Sequence, residues 1–518
     1  MLAVVCATLL LASCGGGGGS SGASTPAGTG TSAGDATAGA YADQVQYSGA
    51  ATAALATATE NAAVIAAHIQ LNGTQLNYTA TSGHLTATDA GTGKPSASFF
   101  YVAYTVAGGD IGKRPVTFFY NGGPGSASLW LHLGSFGPRR LVTTIPNTVQ
   151  PSPAQLVDNQ ETLLAQSDLV FIDAIGTGYS EAIAPHVNRD FWGVDQDAAA
   201  FRDFITRYVS VNGRQNSPKF LYGESYGTPR TGVLANLLET AGVQIEAVVL
   251  QSSIMNYNSN CDMAAAGQIS CEGYVPSYAA LGAYYMLDTP QPADLGSFLD
   301  QVRAFDTASY RPAVAAYLAT RAAPPAGVLT QLADDTGIAL SLWQQNPDLG
   351  PTLFQSDLLP GQLIGRYDGR VHAPQGSALT ADGDPSLTAI NDMFVSTMQS
   401  YLTGELHYSA PTSYISSSDP VIDDWDFSHD GLQLPDTIPD LAAALTQNPF
   451  MQVLSLNGYD DLATPFHQTE LDLARLASAN VQFKYYSSGH MIYLDDTARR
   501  AQQADLINFY ASVTAAHP

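Results

Sequence analysis

The pentapeptide Gly223-Glu224-Ser225-Tyr226-Gly227 fits G-x-S-x-G, the pattern in which a serine is lifted onto a sharp strand-to-helix turn. Glycines stand two positions to either side because side chains there would collide as the chain reverses. "KFLY" before the turn reads as a buried strand and "TGVLANLLETAG" after it as an amphipathic helix, so the context suits the motif. Ser180 in "GTGYSEA" also follows a strand between small residues. Pro185 and the loop-like "APHVNRD" come next, however, so no helix starts there and Ser225 is the expected nucleophile. A serine hydroxyl attacks poorly at neutral pH without a base, and the base needs an acid to orient it. On a strand–turn–helix scaffold these partners follow the serine in the order Asp, His. "YYSSGHM" ends a late strand and offers His490 as the base; "LNGYDDLATP" ends an earlier one and offers Asp460 or Asp461, which spacing alone does not separate. The developing oxyanion needs two backbone N–H donors, one from Tyr226 and the other from the loop "YNGGPGSAS". That loop lacks the Lys of a phosphate-binding loop, which argues against nucleotide binding. Glu224 poses a problem, since a fixed negative charge beside the nucleophile would oppose the oxyanion.

The elements that must position these residues alternate. "RPVTFFYNGGPG", "SDLVFIDAIGTG", "PKFLYGESYG", "EAVVLQSSIM", "FMQVLSLNGYDD" and "VQFKYYSSGH" are short apolar runs ending at turns, the pattern of buried strands in a largely parallel sheet. In "VDQDAAAFRDFITRYV", Phe201, Phe204, Ile205 and Tyr208 form one apolar helical stripe, and "TARRAQQADLINFYASV" reads likewise. Asn72-Gly73 between alternating runs predicts an opening antiparallel hairpin, continued by "SASFFYVAYTV". The pattern is α/β. It breaks between about residues 257 and 434, where "LGSFLDQVRAF" and "AINDMFVSTMQSYL" predict an inserted, mainly helical cap; the core is expected at 46–256 and 435–518.

Composition narrows the function. With 45% hydrophobic residues in 518, the chain can bury a large core, and no apolar run reaches membrane-spanning length. A formal charge of −26 argues against a nucleic-acid partner. "MLAVVCATLLLASCGGGGGS" carries a short apolar run ending in Leu11-Ala12-Ser13-Cys14, similar to a bacterial lipobox, with residues 1–14 as signal and Cys14 as the lipidated residue; an ordinary secretory signal is the alternative. Residues 15–45, poor in charge and large side chains, predict a flexible tether, which makes lipid attachment the expected membrane contact of an exported, cell-envelope protein. Cys261 and Cys271 then remain and predict a disulfide. No His cluster or further cysteine pair suggests a metal, and no cofactor is expected.

Together "NGGPGSASLWLHLGSFGP", "DLVFIDAIGTGYSEA", "SPKFLYGESYG", "NGYDDLATP" and "SSGHM" resemble the serine carboxypeptidase family of α/β-hydrolases, in consistent order from about residue 65 to 515. The resemblance implies Ser225 as nucleophile, His490 as base and Asp461, four before Pro465, as the acid. It implies Gly123 and Tyr226 as oxyanion donors, and Asn121 and Glu224 as the residues that bind a peptide's C-terminal carboxylate. Glu224 would do so in its acid form, which removes the opposing charge and favours acid pH for peptides with a free C-terminus. Two departures stand out. Ser135 occupies the place of a second glutamate, and Ser126 that of a frequent cysteine. Met491 matches the family and is expected at the substrate pocket. The implied activity is C-terminal residue release through an acyl-enzyme; an esterase or acyltransferase on the same scaffold, or a catalytically silent surface binder, are the alternatives.

Overall fold

Asn72-Gly73 turns the first hairpin of the sheet. In the computed structural model, which describes residues 39–89, 91–263 and 268–516, strands β1 (Ala62–Leu71) and β2 (Thr74–Thr88) pair antiparallel across it. Both turn residues have positive φ, 51° and 80°, as a two-residue hairpin loop with the twist of its strands requires. Strand β3 (Pro95–Val106) extends this antiparallel wing. The chain then enters β4 (Val116–Tyr120), helix α1 (Leu129–Gly134), β5 (Asp168–Ile172), α2 (Val194–Val211), β6 (Lys219–Glu224), α3 (Gly227–Thr240) and β7 (Ala247–Gln251). After a long excursion it returns through β8 (Gln452–Gly458) and β9 (Val481–Tyr486).

The sheet order is β9-β8-β7-β6-β4-β5-β3-β2-β1, and every pair from β9 to β5 is parallel. Alternate residues of each central strand enter two separate apolar layers: Phe119, Phe220, Tyr222 and Val249 on one face, Phe118, Leu221, Val248 and Leu250 on the other. Burial on both faces explains why these strands read as unbroken apolar runs. Phe201, Phe204, Ile205 and Tyr208 of α2 lie together in the second layer, as their spacing predicts. The architecture is the expected α/β-hydrolase fold, with a largely parallel central sheet. Its direction of travel reverses between β4 and β6: β5 lies on one flank of β4, and β6 on the other. The crevice at the carboxyl ends of the strands opens at such a switch point.

The excursion from the sheet, expected as one cap over 257–434, divides in two. Helices α4 (Val275–Tyr284), α5 (Leu295–Phe305), α6 (Arg311–Thr320), α7 (Ala326–Thr336), α8 (Leu340–Gln345) and α9 (Pro351–Asp357) enclose an apolar core of their own around Tyr278, Leu299, Tyr310, Trp343 and Phe354. After α10 (Pro385–Thr388), α11 (Asn391–Gly404) instead adds Phe394, Met398, Tyr401 and Leu402 to the core of the sheet. The strand-like segment Tyr408–Ser409 pairs with Tyr41–Ala42, and Ile415 and Ser417 bridge to Gly178 and Ser126. Helix α12 (Asp419–Asp424) follows; α13 (Ile438–Gln447) packs on α3, and α14 (Phe466–Leu473) and α15 (Asp496–Ala516) complete the fold.

The tether boundary also needs correction. Residues 39–45, expected within the 15–45 tether, are fixed: Gly39 exchanges backbone hydrogen bonds with Val64, and buried Asp43 accepts the Tyr47 and Tyr408 hydroxyls at 2.9 and 2.8 Å. Tyr41, Asp43 and Tyr47 supply the contacts that the surrounding Gly/Ala composition conceals. The expected signal and Cys14 lie outside the described residues. Cys261 and Cys271 form the expected disulfide, Cα atoms 5.2 Å apart, and a cross-link of this kind fits an exported protein. No described helix is long and apolar enough to cross a membrane.

Candidate active site

Ser225 sits at the carboxyl end of β6 with φ +58°, a left-handed conformation costly for a non-glycine residue. Its N–H donates to the Gln251 carbonyl of β7 at 3.0 Å, and α3 begins two residues later. The flanking glycines make this turn possible. A Cβ at Gly223 would stand 2.2 Å from the Gly227 carbonyl oxygen, and one at Gly227 would stand 2.9 Å from that of Tyr120. Gly223→Ala is accordingly expected to destabilise the fold by about 3 kcal/mol, read from the midpoint of denaturant unfolding. The competing serine, Ser180, is buried in a structural bridge, accepting from the Phe100 N–H and donating to the Asp173 carbonyl, both at 2.8 Å.

Asp461 and His490, from the turns after β8 and β9, meet beneath the same crevice. His490 Nδ1 lies 2.8 Å from Asp461 Oδ2, both side chains almost fully buried. Asp461 Oδ1 accepts the N–H groups of Ala463 and Thr464, and Oδ2 accepts the Thr464 hydroxyl at 2.6 Å. The carboxylate is thus locked in place, with Thr464 bonded to both partners' meeting point. Asp460 turns away to Arg370, which it meets at 3.6 Å within a cluster that includes Asp368 and Asp495. Geometry therefore separates the two aspartates that spacing did not. Burial disfavours the His490 imidazolium, but Asp461 and, behind it, Glu224 outweigh that, and the His490 pKa rises above its ordinary value.

Ser225, Glu224, His490, Asn121 and Gly123 line one cavity of about 330 Å³. Gly122 brings the β4 loop against the turn, for a Cβ there would stand 2.4 Å from the Tyr226 nitrogen. Gly123 has φ +105°, and among the described residues neither its N–H nor that of Tyr226 meets an acceptor. Two adjacent, unspent donors beside a serine are what a developing oxyanion requires. Asn121 Oδ1 accepts the Leu131 N–H at 3.0 Å, which fixes the orientation of the amide, and its Nδ2 donates to Glu224 Oε1 at 2.8 Å. Gln251 Nε2 donates to Glu224 Oε2 at 2.7 Å. Burial pushes the Glu224 pKa up to about 7, against the pull of His490 and of the nearby Tyr493 and Asn121.

Residues 71–259, which contain the β4 loop and the Ser225 turn, match the family model described as serine carboxypeptidase. Over this segment the chain is similar to the serine carboxypeptidase family. The pheromone-processing carboxypeptidase KEX1 of Cryptococcus gattii is 34% identical over 137 residues, which span 26% of this chain and only 19% of that relative's length. The crystal structure of the prohormone-processing carboxypeptidase KEX1(delta)p of Saccharomyces cerevisiae matches 84% of this chain and 91% of its own, with a TM-score of 0.51 at 14% identity, a likeness of fold.

Within the matched segment the second glutamate is absent. Ser135, fully buried, donates to the Leu131 carbonyl instead, and the Tyr493 ring packs on Gly134 beside it. Arg230, unremarked in the sequence, is buried at the centre of the site's support. Its guanidinium bonds Asp197 of α2 at 2.6 Å and the Asn121 carbonyl at 2.7 Å, and lies 4.4 Å from the centre of the Phe201 ring. Gln251 and Thr464 were likewise missed. The available signal was positional: Arg230 lies one turn into the helix after the serine, and Thr464 three residues after Asp461.

Proposed function

We propose that this protein is an exported serine carboxypeptidase that releases C-terminal residues from peptides through an acyl-enzyme on Ser225. The observation that carries the reading is the Asn121–Glu224 pair in the same cavity as Ser225 and His490. Protonated Glu224 donates one hydrogen bond to a peptide's terminal carboxylate, and the second N–H of Asn121 Nδ2 donates another. His490 takes the Ser225 proton and passes it to the leaving amine. Asp461 holds its ring, and the Gly123 and Tyr226 N–H groups receive the oxyanion. Peptide cleavage is favoured on the acid side of about pH 7, where Glu224 keeps its proton. Ser135 in place of a second carboxyl favours an esterase or acyltransferase as the alternative.

Outside the described residues, the lipobox-like Leu11–Cys14 supports attachment to a bacterial envelope by acyl chains on Cys14, with the Gly-rich tether leading to the enzyme. The enzymatic proposal is tested with an N-blocked dipeptide, with a free and with an amidated C-terminus, at about pH 5 and 8, on either side of the Glu224 pKa. Cleavage of the free form alone, stronger at the lower pH, is the expected result. Hydrolysis of an aryl ester with neither peptide cut would leave a serine hydrolase and remove the carboxypeptidase.

A further inference from the structure

The walls of the cavity say which residue it can release. Trp130, Leu387, Ile422 and Met491 supply apolar surface, and the Tyr367 ring closes the side next to His490, 4.8 Å between ring centres. Trp130 is a fixed wall rather than a loose one: its ring lies against Phe394 at 4.7 Å, and its Nε1 donates to Ser126 Oγ at 3.2 Å. Ile422, although apolar, is 47% exposed, so its side chain is available at the mouth of the cavity. Pro124 adds a further apolar side chain, and the remaining ones, Ser126, Asn391 and Ser417, are polar and uncharged. Among the described lining residues Glu224 is the one carboxyl group, and no Lys or Arg is present.

We propose that this cavity selects peptides whose C-terminal residue is apolar and rejects those that end in Lys or Arg. The inference rests on the carboxypeptidase reading, in which Asn121 and Glu224 hold the terminal carboxylate, so that the side chain lying against these walls belongs to the residue released. An apolar side chain gains by leaving water for the surfaces of Trp130, Leu387 and Met491. A cationic one is stripped of water and needs a carboxylate in exchange. Glu224 cannot serve. It must be protonated to donate to the terminal carboxylate, and ionised to pair with a cation, and it cannot be both. The formal charge of −26 draws basic peptides towards the protein, but that attraction acts from the surface and is screened within about 10 Å by salt. It does not provide a partner inside the cavity.

The test uses the full chain and a series of N-blocked dipeptides that differ only in the last residue, Phe, Leu, Ala, Lys or Arg. The expected result is a kcat/KM for Phe and Leu about 50-fold or more above that for Lys and Arg, a ratio of the size that one well-matched apolar side chain provides. Equal or faster release of Lys or Arg overturns the proposal. Asn391→Asp, which adds a carboxylate to the wall without touching the gripping pair, is expected to raise the Lys-to-Leu ratio about tenfold; an unchanged ratio means that the walls do not set the preference. The same peptides are also measured as inhibitors of aryl-ester hydrolysis. If none is cut, the carboxypeptidase reading falls, and the inhibition still decides the preference: tighter binding of the Phe and Leu forms supports it, and equal or tighter binding of the Lys form overturns it.

Discussion

Ser225→Ala and Asp461→Asn should each lower the hydrolysis of a free-C-terminus peptide and of an aryl ester by about 10⁴-fold, whereas Asp460→Asn should lower it less than tenfold. The contrast follows from where three side chains point. Ser225 is held by a strained backbone in the cavity that His490 also lines, and its hydroxyl is the one set on the strand-to-helix turn. Asp461 accepts four hydrogen bonds, one of them shared with His490, so its carboxylate fixes both the ring and the tautomer that leaves Nε2 free to take a proton. An amide at 461 keeps the shape but can present an N–H to Nδ1, which drives the His490 proton to the wrong nitrogen. Among the described residues Asp460 makes no hydrogen bond or ion pair with His490; it belongs to the Arg370 cluster, where Asp368 and Asp495 remain to hold the guanidinium. The measurement is kcat for both substrates in the three variants, with melting curves to show that each is folded. Equal losses in the two aspartate variants would mean that the His490 ring is not oriented by Asp461.

Much of this site was open to inspection in the sequence because its parts are local. A two-residue Asn72-Gly73 turn, glycines on either side of Ser225 and apolar runs ending at Gly or Asp each follow from backbone geometry over a few positions. What was not legible depends on directions and on distant partners. Asp460 and Asp461 are neighbours in one turn, and only the fold shows that one side chain faces β9 and the other Arg370. Arg230 reads as an ordinary helix residue until α2 brings Asp197 and Phe201 to it. The helix α11 was predicted from its pattern, but its allegiance was not: Phe394 packs on Trp130 and ties that part of the insertion to the core. Tyr41 and Asp43, at the edge of a Gly/Ala-rich stretch, gained their role from strand pairing with residues more than 360 positions away.

Glu224→Gln should change the pH profile more than the rate. In the unaltered protein, cleavage of a free-C-terminus peptide should fall as pH rises through about 7, where Glu224 would lose the proton with which it is proposed to hold the terminal carboxylate. A glutamine donates at every pH, so that decline should vanish; relative to its own plateau, the variant at about pH 8 should be about tenfold faster than the unaltered protein. The acid limb should stay in place, and for a different reason. His490 acts as a base only when neutral, and Glu224 raises its pKa only when ionised. On the acid side of about pH 7 Glu224 already holds its proton, so glutamine leaves the charge facing His490 as it was, for peptide and aryl ester alike. An amidated peptide or an ester, which has no carboxylate for Glu224 to hold, should lack the decline near neutrality in either protein. A peptide profile that still falls near neutrality in Glu224→Gln would detach Glu224 from carboxylate binding and leave the carboxypeptidase reading without its carrying observation. A decline that the ester shares would instead belong to the Ser225–His490 machinery, which an esterase would have in common.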